Sequence, residues 1–106
     1  GTTPQPTIKE INAATATAAD FDANKDKRVL LKGTLTPEGK NTYIHLSDNT
    51  KIQVFIVSSV YKKLSAEAKN KLKTAGQKIE VKGTFDVYNG SKQIKCEDAN
   101  DLVFKN

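Results

Sequence analysis

The sequence predicts an all-β fold: a small barrel of five short strands in Greek-key order, with a helix between the third strand and the fourth. Three observations carry this expectation. Five short segments bounded by turn residues read as strands, and those at 42–47 and 51–57 alternate apolar and polar residues as half-buried strands do. Residues 59–75 instead repeat apolar side chains every fourth position, as a helix does. Finally, "VLLKGTL" at 29–35 recurs as "IEVKGTF" at 79–85, each with a glycine in mid-strand. A small barrel coils its strands sharply, and glycine relieves side-chain crowding at such a bend. Gly33 and Gly83 are therefore expected at bends in the first and fourth strands, which the Greek-key barrel order makes neighbours.

Each element follows from local residues. "TIKE" at 7–10 reads as a capping box, Thr7 capping and Glu10 reaching back. With Ile8, Ile11 and the alanines that follow, it predicts a short N-terminal helix to about Ala19. "DFDANKD" at 20–26 is expected to be a loop, and the first strand to run from Arg28 to Thr36. "PEGKN" at 37–41 suits a turn. In "TYIHLS" at 42–47, Ile44 and Leu46 take one face and Tyr43 and His45 the other. "DNT" at 48–50 closes a hairpin. In "KIQVFIV" at 51–57, Ile52, Val54 and Ile56 point inward and Gln53 and Phe55 outward. Val60, Leu64, Ala68 and Leu72 form the helix stripe, Ser58 and Ser59 are its cap candidates, and Gly76 its stop. The fourth strand spans 78–88. Asn89-Gly90 is a strong two-residue turn signal, which also accounts for the "NGS" sequon. The fifth strand runs from Lys92 to Glu97, and "NDLVFKN" closes the chain.

The totals narrow the function classes. A chain of 106 residues fits one domain, here residues 7–106, preceded by a Pro/Thr spacer at 1–6 that reads as a flexible tether. No apolar run approaches the ~18 residues of a membrane-spanning helix. The single cysteine, Cys96, excludes an intramolecular disulfide and a cysteine-based zinc site. It is expected to face inward as a small hydrophobe. The net charge is +5, and residues 60–78 alone hold six lysines against Glu67. The basic excess thus sits in the helical segment, where a solvated lysine face needs no ligand.

Candidate chemistry is sparse. Asp22, Asn24 and Asp26 occupy the first, third and fifth positions of a calcium loop, but Lys27 replaces its glycine and Gly33 its final carboxylate. No metal and no cofactor are expected. His45 is the only histidine and lies far from Cys96 in sequence. No Ser-His or Cys-His arrangement is indicated, and no phosphate-cradling glycine loop follows a strand. The expectation is a binding module, not an enzyme.

The order strand, strand, strand, helix, strand, strand is that of the OB-fold. "VLLKGTL", "TYIHLSDNTKIQVFI", "SSVYKKL" and "KIEVKGTFDVYNGSKQIKCED" together resemble OB-fold domains of the nucleic-acid-binding, tRNA-anticodon-like superfamily. They also resemble small exported OB-fold domains of bacterial lipoproteins. The resemblance covers about residues 7–104. "DNTK" departs from it, lacking the glycine of a turn often written Asp-x-x-Gly.

That resemblance implies ligand binding on the outer face of the second and third strands, flanked by the first–second and fourth–fifth loops. The face offers Tyr43, His45, Gln53 and Phe55. The loops add Lys40 and Asn41 on one side and Tyr88, Asn89 and Lys92 on the other, while Lys32, Lys51, Lys82 and Lys95 point outward from strands. Aromatic rings stack on bases and lysines track phosphates, which suits single-stranded nucleic acid. Arg28 is the only arginine, and bidentate phosphate contacts favour arginine. The same face also suits a protein or glycan partner of an exported or lipid-anchored bacterial module. The spacer and the absence of any methionine favour that second reading.

Overall fold

The structure, a computed structural model, describes residues 8–106. The expected tether at 1–6 and the capping Thr7 lie outside the described residues. In chain order the elements are β1 (Lys9–Asn12), α1 (Ala18–Ala23), β2 (Arg28–Glu38), β3 (Asn41–His45), β4 (Lys51–Ile56), α2 (Ser58–Tyr61), α3 (Ala66–Leu72), β5 (Lys78–Tyr88), β6 (Ser91–Cys96), a 3-10 turn (Ala99–Asp101) and β7 (Leu102–Lys105).

Five of the strands close into a barrel in the order β2-β3-β4-β6-β5, with β5 returning to β2. Only the β4–β6 pairing in this ring is parallel. This is OB-fold strand order, as the sequence predicts. Alternation in β2 and β5 turns Val29, Leu31 and Leu35, and Ile79, Val81 and Phe85, into the core. Ile44, Ile52 and Ile94 fill it from the other three strands. α1 seals one end, its buried Phe21 lying 4.6 Å from Phe85 between ring centroids. Leu72 of α3 packs on the core from the other end.

The repeated segment pairs with itself. β2 and β5 run antiparallel with Leu31 opposite Val81, so Val29 faces Gly83 and Gly33 faces Ile79. Both glycines belong to the inward row, where each strand changes partner. β2 leaves β5 after Thr34 and joins β3 from Leu35. β5 leaves β2 at Thr84, where it joins β6. A Cβ on Gly33 would lie 2.7 Å from Ile44 Cγ2 and 3.0 Å from the Ala13 Cβ. On Gly83 it would lie 2.6 Å from the Lys95 carbonyl oxygen. The missing side chains let adjacent strands approach at the bends.

The N-terminal segment departs from expectation. In place of a helix from the "TIKE" box to Ala19, residues 9–12 form β1, parallel to Val29–Lys32. β3 covers only the far half of β2, so the near half presents an unpaired edge, and β1 fills it. Ala13 and Ala16 are buried where small side chains permit close packing, not where they would extend a helix. The helix starts later and takes in part of the expected loop at 20–26. The Asp20 carboxylate accepts the Thr17 N–H at 2.9 Å, and the Asp48 carboxylate accepts the Ala18 N–H at 3.0 Å. These satisfy N–H groups at the start of α1.

The helix expected over 59–75 is two short ones. Ser65 interrupts it, its Oγ accepting the Ala68 N–H at 3.1 Å to begin α3 afresh. Ser58 and Ser59 lie inside α2, whose N-cap is Val57, so neither is a cap. The closing residues add β7 to the free edge of β5, a pairing that local pattern does not reveal. Asn89 and Gly90 both have positive φ, as their two-residue turn requires.

Candidate functional site

β3 and β4 turn Tyr43, His45, Gln53 and Phe55 to the outer surface, because their alternate residues Ile44, Ile52 and Val54 are held in the core. Tyr43 and Gln53 are register partners. Phe55 stands beside Lys95 of β6 and is 38% exposed. Among the described residues, the N-terminal segment packs on β2 and the barrel end and does not cover this face.

Two clefts flank the Tyr43–Gln53 pair. One, of about 370 Å³, lies between the β2–β3 turn and the helices; Gln53 and Phe55 form its floor, with Lys40, Tyr61, Leu72 and Lys73 around it. The other, of about 270 Å³, lies between the β3–β4 and β5–β6 turns and is lined by Tyr43, Thr50, Lys51, Gly90, Ser91 and Lys92. No carboxylate lines either cleft among the described residues.

The polar contacts on this face are long. Asn41 Nδ2 lies 3.4 Å from the Tyr43 hydroxyl, and Gln53 Nε2 lies 3.4 Å from Asn41 Oδ1. The Lys51 ammonium donates to Glu38 at 2.7 Å and sits 5.4 Å from the centroid of the Tyr43 ring. The Glu38 hydrogen bond raises the Lys51 pKa, so this lysine is charged at any physiological pH. The ring nitrogen Nε2 of half-buried His45 is enclosed without a partner among the described residues.

The other nominated residues are dispersed. Tyr88 is 65% exposed beside the β5–β6 turn. The Lys92 ammonium turns toward the barrel end, 5.8 Å from the centroid of the Phe21 ring. Lys32 and Lys82 lie on β2 and β5, each two strands away from β4 around the ring. They do not join the face. Lys32 pairs with Glu10 at 3.4 Å, and the neighbouring Glu80 pairs with Lys105 at 3.4 Å.

Arg28 serves the fold. Its guanidinium donates to buried Asp101 at 2.6 Å, fixing the 3-10 turn to β2. Cys96 is fully buried, as expected. Burial, reinforced by the Asp101 charge, pushes its thiol up to about 12. It is not a nucleophile at neutral pH. The candidate calcium residues also have structural duties. Asn24 is buried, its amide donating to the Asp20 carbonyl at 2.8 Å, and the Asp26 N–H donates to the Phe85 carbonyl at 2.7 Å.

Tyr61 and Lys73 are not among the residues nominated from sequence, which reads the lysine-rich helical face as a solvated surface. A signal was present. Tyr61 lies off the Val60–Leu64–Ala68–Leu72 stripe, and an aromatic side chain on the lysine-covered face of a helix has no core to fill.

No protein-family model and no curated protein matches the chain. Among solved structures, asparaginyl-tRNA synthetase from Pyrococcus horikoshii, complexed with asparaginyl-adenylate, is similar with a TM-score of 0.48 at 20% identity, over 77% of this chain and 20% of that one. The chain thus spans about a fifth of that enzyme's length. The OB-fold assignment rests on strand order and register, not on that likeness.

Proposed function

We propose that this chain is a non-catalytic module that holds single-stranded nucleic acid across the outer face of β3 and β4. One observation carries the reading: among the described residues nothing covers the aromatic face Tyr43–Gln53–Phe55, and its two clefts carry Lys40, Lys73 and Lys92 outside any ion pair, with Lys51 held by Glu38. Bases stack on such rings at about 1–3 kcal/mol each, and lysines at both ends track phosphates. The sole arginine is committed to Asp101, so the phosphate contacts fall to lysines, which act as point charges without bidentate geometry. Binding on these terms is weak and nearly indifferent to sequence.

The test is a titration with labelled single-stranded oligonucleotides at about 50 and 200 mM salt, a range over which phosphate contacts weaken steeply. Binding that falls with salt, and falls further in Tyr43→Ala and Phe55→Ala, supports the reading. No binding at the lower salt ends it.

A second reading has its own support. Lys51 and Lys95 are paired with Glu38 and Glu97, which lowers the net charge beside exposed Phe55 and favours a protein or glycan partner. On this reading the module is exported or lipid-anchored and bacterial. A precursor bearing an export signal that ends in a lipid-attachment cysteine would favour it.

A further inference from the structure

We infer that the helical connection between β4 and β5 is part of the ligand site: the cleft between it and the β2–β3 turn takes one nucleotide of the bound strand, its base against Phe55 and Tyr61 and its phosphate at Lys40 and Lys73. The inference rests on the single-strand reading and adds a wall that the β3–β4 face alone lacks.

The cleft has the size and composition of a ligand site. Its volume, about 370 Å³, falls within the ~300–1,000 Å³ of small-molecule pockets. Phe55 and Tyr61 are both exposed, and Ile56 and Leu72 extend the apolar lining. Lys40 and Lys73 stand at its margin without an ion-pair partner among the described residues. Two unneutralised ammonium groups beside two aromatic rings fit a planar base joined to an anion.

The helical wall is held in place. The Thr42 hydroxyl donates to the Leu72 carbonyl at 2.8 Å, tying the last turn of α3 to β3. Beyond the helix, the Gly76 N–H donates to the Leu35 carbonyl and the Leu35 N–H to the Gln77 carbonyl, both at 2.9 Å. Lys73 thus follows a helix end anchored to two barrel strands. The Lys69 ammonium lies 5.1 Å from the centroid of the Tyr61 ring, adding positive charge beside the aromatic wall. Lysines of this segment are therefore ligand-facing in part, and not merely a solvated surface.

The experiment uses the full chain and a labelled oligothymidylate of about twelve nucleotides, within the ~4–16 that one OB-fold engages. Tyr61→Ala is expected to weaken binding about 5- to 160-fold, with Tyr61→Phe retaining most of it. Lys73→Ala is expected to weaken binding and to lower the slope of log affinity against log salt by about 0.7. Both side chains are exposed, and unchanged melting curves will show that the fold is intact. If Tyr61→Ala and Lys73→Ala bind as the parent does while Tyr43→Ala and Phe55→Ala weaken binding, this inference is overturned and the nucleic-acid reading stands. If the parent chain does not bind, both fall.

Discussion

Replacing Gly83 with alanine tests the account of the barrel more directly than any change at the surface. The new Cβ would sit 2.6 Å from the Lys95 carbonyl oxygen and 2.9 Å from Ile94 Cγ1. A relaxed carbon–oxygen contact is about 3.3–3.6 Å, so β6 must retreat by about 0.7 Å or more. That movement falls where the β5–β6 ladder begins, at Thr84 opposite Lys95, beside fully buried Phe85 and Ile94. Overpacking costs about 1–3 kcal/mol, and one or two weakened ladder bonds about 1 kcal/mol each. Reduced freedom of the unfolded chain returns about 0.4–1 kcal/mol. The expected net loss is about 2–4 kcal/mol. In a domain of this size that lowers the melting temperature by about 10–25 °C.

Gly33→Ala is the informative contrast. Its new Cβ meets side chains first, Ile44 Cγ2 at 2.7 Å and the Ala13 Cβ at 3.0 Å. Ile44→Leu moves the branch off Cβ, so the double variant should lose less than the sum of the singles. No replacement at Ile94 should rescue Gly83→Ala, because backbone is in the way. Thermal and urea melts followed by circular dichroism measure these variants. The reasoning is refuted if Gly83→Ala melts within about 3 °C of the parent, or if Ile94→Leu restores it. Gly83→Val should be worse than Gly83→Ala, and the loss should appear in stability before any binding constant changes.

Three further predictions concern charge. Hydrogen bonds to the Asp48 carboxylate, first that from the Ala18 N–H, lower its pKa from the ordinary 3.8. A depressed carboxylate stabilises the fold above its unfolded pKa and loses that contribution as pH falls through the folded one, so Asp48→Asn should flatten the acid limb of stability below pH about 4. Cys96 has the opposite sign: with its thiol raised from 9.0 to about 12, stability is intact below pH 9 and declines above it. The stability gap between the parent and Cys96→Ala should therefore narrow by about 1.4 kcal/mol per pH unit above 9, and native Cys96 should react with a thiol reagent only as fast as the chain opens. Arg28→Ala should cost about 2–3 kcal/mol, below the ~3–5 of a fully buried pair because the guanidinium is 45% exposed. Arg28→Ala/Asp101→Ala should lose less than the sum of the singles in urea melts, and additive losses would refute the pairing.

The candidate face was legible because it depends on alternation. With Ile44, Ile52 and Val54 committed to the core, Tyr43, His45, Gln53 and Phe55 must face outward. The lysines were less legible, since alternation says only that a residue points out, not around which part of a closed ring. Lys32 and Lys82 point outward as expected, but on the far side of the ring, where Lys32 stands beside Glu10 and Glu80. Lys73 was not legible because its proximity to Phe55 depends on the Thr42–Leu72 bond, which joins residues far apart in the chain, whereas Tyr61 reaches the same cleft locally, on the short α2 that follows β4.

Local pattern by itself determined the five barrel strands, the Asn89-Gly90 turn and the inward Cys96. Each depends on side-chain period or on backbone freedom within a few residues. The pairing of the two glycine-bearing strands followed only from the order of those strands in the barrel. Tertiary structure decided the rest. Residues 9–12 became β1 because β2 left an edge bare, and residues 102–105 became β7 because β5 did the same. The buried Ala13 and Ala16 show why helix propensity misled: it amounts to less than about 1 kcal/mol per residue, and closing a barrel edge outweighs it. A strand edge, a cleft wall and the partner of a lone arginine are all properties of what lies beside a segment in space, which its own residues do not encode.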